Sequence, residues 1–221
     1  MEVLACLAEL DRGPTTLAAD LANLDGDERA RAAAFRFDRD RRRFVARHAF
    51  VRRTLAGIMG AVPDALRISA DAAGKPRVAG GPHFNVSRSR DTALIVIADA
   101  EIGCDIEWRD AALAAPAIAA RFFAPAEIAA LAPLAGDAWL AAFFECWVRK
   151  EAYVKAIGEG LWHPLDGFTV SVTAPAALLR AAPGWSIAAA CPRPALHMAV
   201  VGRADAVAIS WIGETASAAA A

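Results

Sequence analysis

Lysine is nearly missing from this 221-residue chain: only Lys75, Lys150 and Lys155 stand among 24 basic residues, and the others are arginine. Arginine is a fixed planar charge, whereas lysine is a compact one that can give up its proton, so the three lysines mark places where arginine does not substitute. A charge imbalance is missing too. With 24 basic against 25 acidic residues the formal charge is -1, which leaves no global field for nucleic acid or anionic lipid and makes any anion site local. Cysteine pairs are absent: Cys6, Cys104, Cys146 and Cys191 are dispersed without CxxC spacing, which argues against a zinc knuckle or a disulfide framework and for buried thiols. Each long apolar run is cut by Pro, Arg or Asp before it could span a membrane, and no N-terminal stretch reads as a signal peptide, so a cytoplasmic protein with no membrane partner is expected. Apolar residues are plentiful, at 57% of the chain, enough for a buried core.

The periodicity alternates between strands and helices, an α+β pattern. Residues 2 to 10 read as a strand, and a polar stretch through Asp27 leads to a helix from about Asp38 to Met59. On that helix Phe44, Val51, Leu55 and Ile58 share a stripe flanked by Arg43 and Arg47, and Gly60 is its stop. A strand near 66 to 70, the turn AAGKP, then HFNVSRS and ALIVIA read as strands of one sheet. IGCDIEW reads as a strand after a turn at 99 to 101, and RFFAPAEIAAL carries Pro125 and Glu127 where a helix begins. A long helix ends in WVRKEAYVKAIGEG, GFTVSV alternates as a strand, and HMAVVGRADAVAISWIG forms a final hairpin.

FVRRTLAGIMG at 50 to 60 matches WVRKEAYVKAIGEG at 147 to 160 in register, and RDTALIVI echoes RADAVAIS. The expected architecture is two similar α/β subdomains, 1–101 and 102–214, related by a pseudo-twofold within a monomer, with a disordered tail at 215–221. The cleft between them is the natural ligand site.

Within WVRKEAYVKAIGEG, Glu151 falls in the middle of the apolar stripe formed by Phe143, Phe144, Trp147, Val148 and Val154. A carboxylate aimed at a core is unfavourable by several kcal/mol unless something positive meets it. On the strand IGCDIEW, Asp105 and Glu107 share one face while Cys104 and Ile106 turn to the other. Three carboxylates converging without His or Cys specify a hard cation, Mg²⁺ before Zn²⁺. Such an ion completes its shell with substrate phosphate oxygens, which directs attention to Lys155 one turn beyond Glu151, Lys75 in the GKP turn, and Ser87 and Arg88 in FNVSRS. Arg43 and Arg47 form a like-charge i,i+4 pair whose repulsion a bound phosphate would reverse.

In order and spacing, GKP, FNVSRS, IGCDIE, FFAPAE and WVRKEAYVKAIGEGL resemble the Sfp-type 4′-phosphopantetheinyl transferases, from about Arg31 to Thr169. The resemblance implies two similar α+β halves with the active site between them, the first binding coenzyme A and the second carrying the metal and catalytic residues. It implies transfer of phosphopantetheine from coenzyme A, with Mg²⁺, to a serine hydroxyl of an acyl or peptidyl carrier protein, releasing adenosine 3′,5′-bisphosphate. By motif position Asp105, Glu107 and Glu151 hold the metal and Lys155 neutralises charge at the pyrophosphate. Lys75 and Ser87 contact coenzyme A, and Glu151 is the candidate base for the serine. One position departs: the family's N-x-S-H-S is Asn85, Val86, Ser87, Arg88, Ser89 here. Arg88 can grip phosphate with its fork but cannot act as a base at neutral pH. Arg43 and Arg47 are expected on the adenosine 3′-phosphate.

Two other classes share some of these features. A Mg²⁺-dependent phosphotransferase on another small molecule would use the same carboxylates and lysine. A nucleic-acid-binding module would use the eight arginines between Arg36 and Arg53, against which stand the near-neutral charge and the lack of interleaved aromatics.

Overall fold

Two glycines in the left-handed region close the two longest helices of the computed structural model: Gly60 (φ 62) ends the helix Asp38–Met59, and Gly158 (φ 76) ends the helix Gly136–Ile157. Each helix is 22 residues long, and each sits in the same succession of elements. The first half runs β1 (Glu2–Glu9), α1 (Pro14–Ala22), α2 (Gly26–Ala33), α3 (Asp38–Met59), β2 (Ile68–Ala70), β3 (Pro76–Val78), β4 (His83–Ser89) and β5 (Thr92–Ala98). The second runs β6 (Ile102–Trp108), α4 (Pro116–Phe122), α5 (Pro125–Leu131), α6 (Gly136–Ile157), β7 (Thr169–Val170), β8 (Leu178–Arg180), β9 (Ser186–Arg193) and β10 (Leu196–Gly202). A last strand, β11 (Ala208–Trp211), follows. Residues 1–11, 13–160 and 163–213 are described, and the expected tail at 215–221 lies outside them.

The strand orders repeat as the elements do. β1-β5-β4 and β6-β10-β9 are both antiparallel sheets in which the last strand of the half lies in the middle. α3 covers one sheet through Phe50, Leu55, Ile95 and Ile97, and α6 covers the other through Phe143, Phe144, Ala199 and Val201. The opposite faces pack together, Leu94 and Val96 meeting Cys104, Ile106, Met198 and Val200. The result is a helix, sheet, sheet, helix stack.

The repeat extends to buried charge. Arg52 and Arg53 on α3, like Arg149 and Lys150 at the matching positions of α6, are buried side by side. Arg53 meets Asp20 at 2.5 Å, Arg52 pairs with Asp25 and Glu28, Arg149 meets Glu145 at 2.7 Å, and Lys150 meets Glu127 at 2.8 Å. Glu127 also accepts from the backbone N–H groups of Ala124 and Val170 (both 2.7 Å), and Lys150 donates to the carbonyls of Leu165 (2.6 Å) and Phe168 (3.0 Å). That pair has its bonding capacity filled, the condition under which a charge is tolerated in a core.

Several expectations are corrected. The polar stretch through Asp27 holds two helices, α2 opening with a capping box in which Asp25 accepts from Glu28 N (2.9 Å) and Glu28 accepts from Asp25 N (3.2 Å). Among the described residues β2 pairs only with β3, in a two-stranded ribbon that does not join the β4–β5 sheet by hydrogen bonds. The final hairpin does not form: β11 crosses over to pair parallel with β1, covering an edge that would otherwise lie open. Only Thr169–Val170 of GFTVSV is strand. Cys191 and Ile58 are exposed, whereas Cys6, Cys104 and Cys146 are buried thiols.

Candidate active site

The edge strands β4 and β6 lie along each other without a backbone ladder, and side chains of every second residue of β4 join them. Asn85 Oδ1 accepts from Cys104 N–H (2.9 Å), Ser87 Oγ donates to Asp105 Oδ1 (2.7 Å), and Ser89 Oγ donates to Glu107 Oε2 (2.6 Å) while accepting from Trp108 N–H (3.0 Å). The alternation of a strand sends Phe84, Val86 and Arg88 to the other side. There they face α3 across a cleft of about 420 Å³ that Arg31, Arg47 and His48 also line.

α6 lies directly against β6 because residue 103 is glycine: a Cβ there would overlap the backbone of Ala152 and Ala156. This approach carries Lys155 to Asp105, with Nζ 2.6 Å from Oδ1 and 3.1 Å from Ser87 Oγ. The stripe expected around Glu151 needs correcting, since α6 is buried on most of its circumference, Arg149 and Lys150 included. Trp147, Glu151 and Lys155, four residues apart, form its one half-exposed line through the motif, so Glu151 looks into an opening instead of the core.

Charge around that opening is unbalanced. Burial pushes the Glu107 carboxyl up to about 7, with Asp105 and Glu151 adding repulsion that Ser89 and Lys155 only partly offset. Burial and Asp105 raise Glu151 as well, Lys155 opposing. Burial disfavours the Lys155 ammonium, yet Asp105, Cys104 and Glu151 outweigh it and hold the proton more tightly than usual. Asp105 is 3% exposed and its Oδ2 has no hydrogen-bond partner. Among the described residues no three His, Cys, Asp or Glu side chains are closed around a common point. Asp105, Glu107 and Glu151 are therefore neighbours and not a formed cage. Their chemistry nonetheless fits a hard divalent cation: a buried oxygen without a donor, and two carboxyls whose negative form lacks compensation.

The cationic side carries a surplus of the opposite sign. Burial, then Arg88 and Arg31, lower the pKa of Arg47, with Glu28 opposing, so three guanidinium groups crowd one wall. Arg43 lies on an adjoining cleft of about 370 Å³, which shares Arg47 and Arg88 with the first, and stands 3.8 Å from Asp11. Lys75 borders a smaller opening beside Lys155, but its buried ammonium donates to Glu101 Oε2 (2.9 Å) and to the carbonyl of Ala156 (3.0 Å), tying the first half to the end of α6. Glu28 and His48, which the sequence reading passed over, line the main cleft. The capping box D-G-D-E was the available signal for Glu28.

The 4′-phosphopantetheinyl transferase HetI of Nostoc sp. is 34% identical over 185 residues, covering 80% of this chain and 78% of the relative. The chain belongs to the 4′-phosphopantetheinyl transferase superfamily. The family model of that name matches residues 101–188 of this transferase, the segment that holds β6 and α6. The transferase is also similar to the 4′-phosphopantetheinyl transferase psf-1 of Bacillus pumilus, 32% identical over 66% of this chain and 63% of the relative. It resembles Sfp of Bacillus subtilis too, 35% identical over 48% and 47%.

Proposed function

We infer that the chain performs the reaction its family is named for: it transfers the 4′-phosphopantetheine of coenzyme A to a serine of an acyl or peptidyl carrier protein, giving the holo carrier and adenosine 3′,5′-bisphosphate. The observation that carries the reading is the two-sidedness of one strand. Ser87 faces the carboxylates and Lys155, its neighbour Arg88 faces Arg31 and Arg47, and a pyrophosphate passing β4 has both within reach.

Asp105, Glu107 and Glu151 would hold Mg²⁺, consistent with the bare Oδ2 and the raised carboxyls. Bound there, the ion would offset charge that develops on the pyrophosphate oxygens. Lys155 keeps its proton and places a fixed positive charge on the same side. Arg31, Arg43, Arg47 and Arg88 hold the nucleotide end. Lys75 ties its turn to Glu101 and Ala156, and so places its neighbours Gly74 and Pro76 on the cleft that takes coenzyme A. Glu151, with its raised affinity for a proton, takes the serine hydroxyl proton. The serine oxygen forms its bond to the phosphorus of the pantetheine phosphate as the bond to the departing adenosine bisphosphate breaks. Positioning and charge stabilisation do most of such work.

The halves 1–101 and 102–214 act in this reading as two units of a cytoplasmic monomer. No helix among the described residues is long and apolar enough to cross a membrane. The test is incubation with coenzyme A, Mg²⁺ and a panel of apo carrier proteins, read by intact mass. A phosphopantetheine mass gain on a carrier serine is expected, and folded enzyme that gives none on any carrier overturns the reading.

A further inference from the structure

We infer that His48 is a positioning residue for coenzyme A: anchored by Glu28, it fixes the guanidinium of Arg47 on the cleft wall without cancelling its charge. The inference rests on the reading that coenzyme A lies along Arg31, Arg47 and Arg88. Three like charges on one wall repel, so each needs an acceptor to stay in place before the anion arrives. Among the described residues Arg47 has no carboxylate in ion-pair range. Its Nη2 lies instead 3.0 Å from His48 Nε2.

The chemistry of the neighbours fixes the state of that imidazole. A guanidinium only donates, so Nε2 must accept. His48 Nδ1 is 3.0 Å from Glu28 Oε1. Glu28 Oε2 is paired with the Arg52 guanidinium, so Glu28 is a carboxylate that only accepts and Nδ1 must carry the proton. His48 is therefore the neutral Nδ1–H tautomer. Its ring stacks on Phe44 with centroids 4.0 Å apart, which limits its rotation.

The anchor leads back into the core. Glu28 Oε2 accepts from Arg52 Nε (2.5 Å), and buried Arg52 is itself held by Asp25 and by the carbonyls of Pro63 (2.8 Å) and Leu66 (3.1 Å). A rigid chain thus runs from Arg52 through Glu28 and His48 to Arg47. A carboxylate in the place of His48 would hold Arg47 equally well but would neutralise it. The neutral ring holds the direction of the guanidinium and leaves its full charge to the ligand.

The test is a double-mutant cycle on the KM for coenzyme A, with an apo carrier protein as acceptor and melting temperatures as a control for folding. His48→Phe keeps the stacking surface but offers Arg47 no acceptor, and should raise that KM about five- to tenfold, a part of what one charged hydrogen bond contributes, with the effect falling on KM more than on kcat. His48→Gln, whose amide oxygen can reach the place of Nε2, should recover most of it. In an Arg47→Ala background His48→Phe should add almost nothing, because its effect passes through Arg47. If the two changes simply add, or His48→Phe leaves KM alone while Arg47→Ala raises it, the positioning role is overturned and the placement of coenzyme A stands. If Arg47→Ala itself leaves KM unchanged, the placement fails and takes the inference with it.

Discussion

Lys155 Nζ lies 2.6 Å from Oδ1 of Asp105, and because Ser87 Oγ donates to that same oxygen at 2.7 Å, Oδ2 is left buried without a donor. One oxygen is doubly served and the other is bare, an arrangement that a cation on Oδ2 would complete. Asp105→Asn puts an amide there and should remove the site. A ligand that binds only the native state at a hundred times its Kd adds about 2.7 kcal/mol, so Mg²⁺ should raise the melting temperature of the wild type and leave that of Asp105→Asn nearly unmoved. Equal shifts in the two proteins would place the ion elsewhere.

Lys150 and Lys155 lie five positions apart on α6 and should fail in opposite ways. Lys150 is fully buried against Glu127, and Lys150→Met would strand a buried carboxylate at a cost of about 3–5 kcal/mol. The activity of molecules that remain folded should be nearly normal. Lys155 is 30% exposed at its side chain and its partner Asp105 keeps the Ser87 hydroxyl, so Lys155→Met should cost less stability than Lys150→Met while slowing transfer strongly. Urea unfolding beside carrier-modification rates separates them, and a Lys150→Met protein as stable as wild type would contradict the structural role.

The two long helices, Asp105 and Glu107 sharing a face, and the internal repeat were legible because each follows from periodicity or from in-register motif residues. The helices α1 and α2 were not, since they are short, and α2 has a low apolar content that hides everything but its capping box. β11 was misread because local sequence cannot say which edge a strand will take: its partner edge on β1 lies at the other end of the chain, Glu2 opposite Ala208. Glu151 was singled out for the right oddity on the wrong ground. Buried Arg149 and Lys150 show that polarity is a poor guide to which face of α6 is the core one. Lys75 was read as a coenzyme A contact from its turn and from motif position, and only the distances to Glu101 and Ala156 show where its ammonium goes.

His197 should make the protein acid-sensitive. It is 4% exposed on β10, and burial together with Arg109 and Arg149 lowers its pKa to about 4. The unfolded imidazole takes up its proton near 6.5 and the folded one only near 4, so between those values the unfolded state binds more protons and stability falls as pH falls. The full contribution is up to about 3 kcal/mol. His197→Gln should flatten this part of the profile. Chemical denaturation of both proteins at steps from pH 7 to 4 measures it, and parallel profiles would show that His197 titrates normally.

The arginine wall predicts which part of coenzyme A sets its affinity. Arg88 projects from β4 toward Arg31 and Arg47, in a place where the family has an imidazole, and Arg43 and Arg47 stand one helical turn apart on the neighbouring cleft. If Arg88 grips the pyrophosphate, Arg88→Ala should weaken coenzyme A and dephospho-coenzyme A alike, by about 1.5–3 kcal/mol each, and Arg88→His should recover much of that. If Arg43 and Arg47 grip the adenosine 3′-phosphate, the double alanine variant should weaken coenzyme A alone, because dephospho-coenzyme A lacks the group they hold. Titration calorimetry of both ligands against wild type and the three variants distinguishes the two contacts. A wild-type preference for coenzyme A that survives in the double variant would move the 3′-phosphate to Arg31, the other guanidinium on the wall of the main cleft.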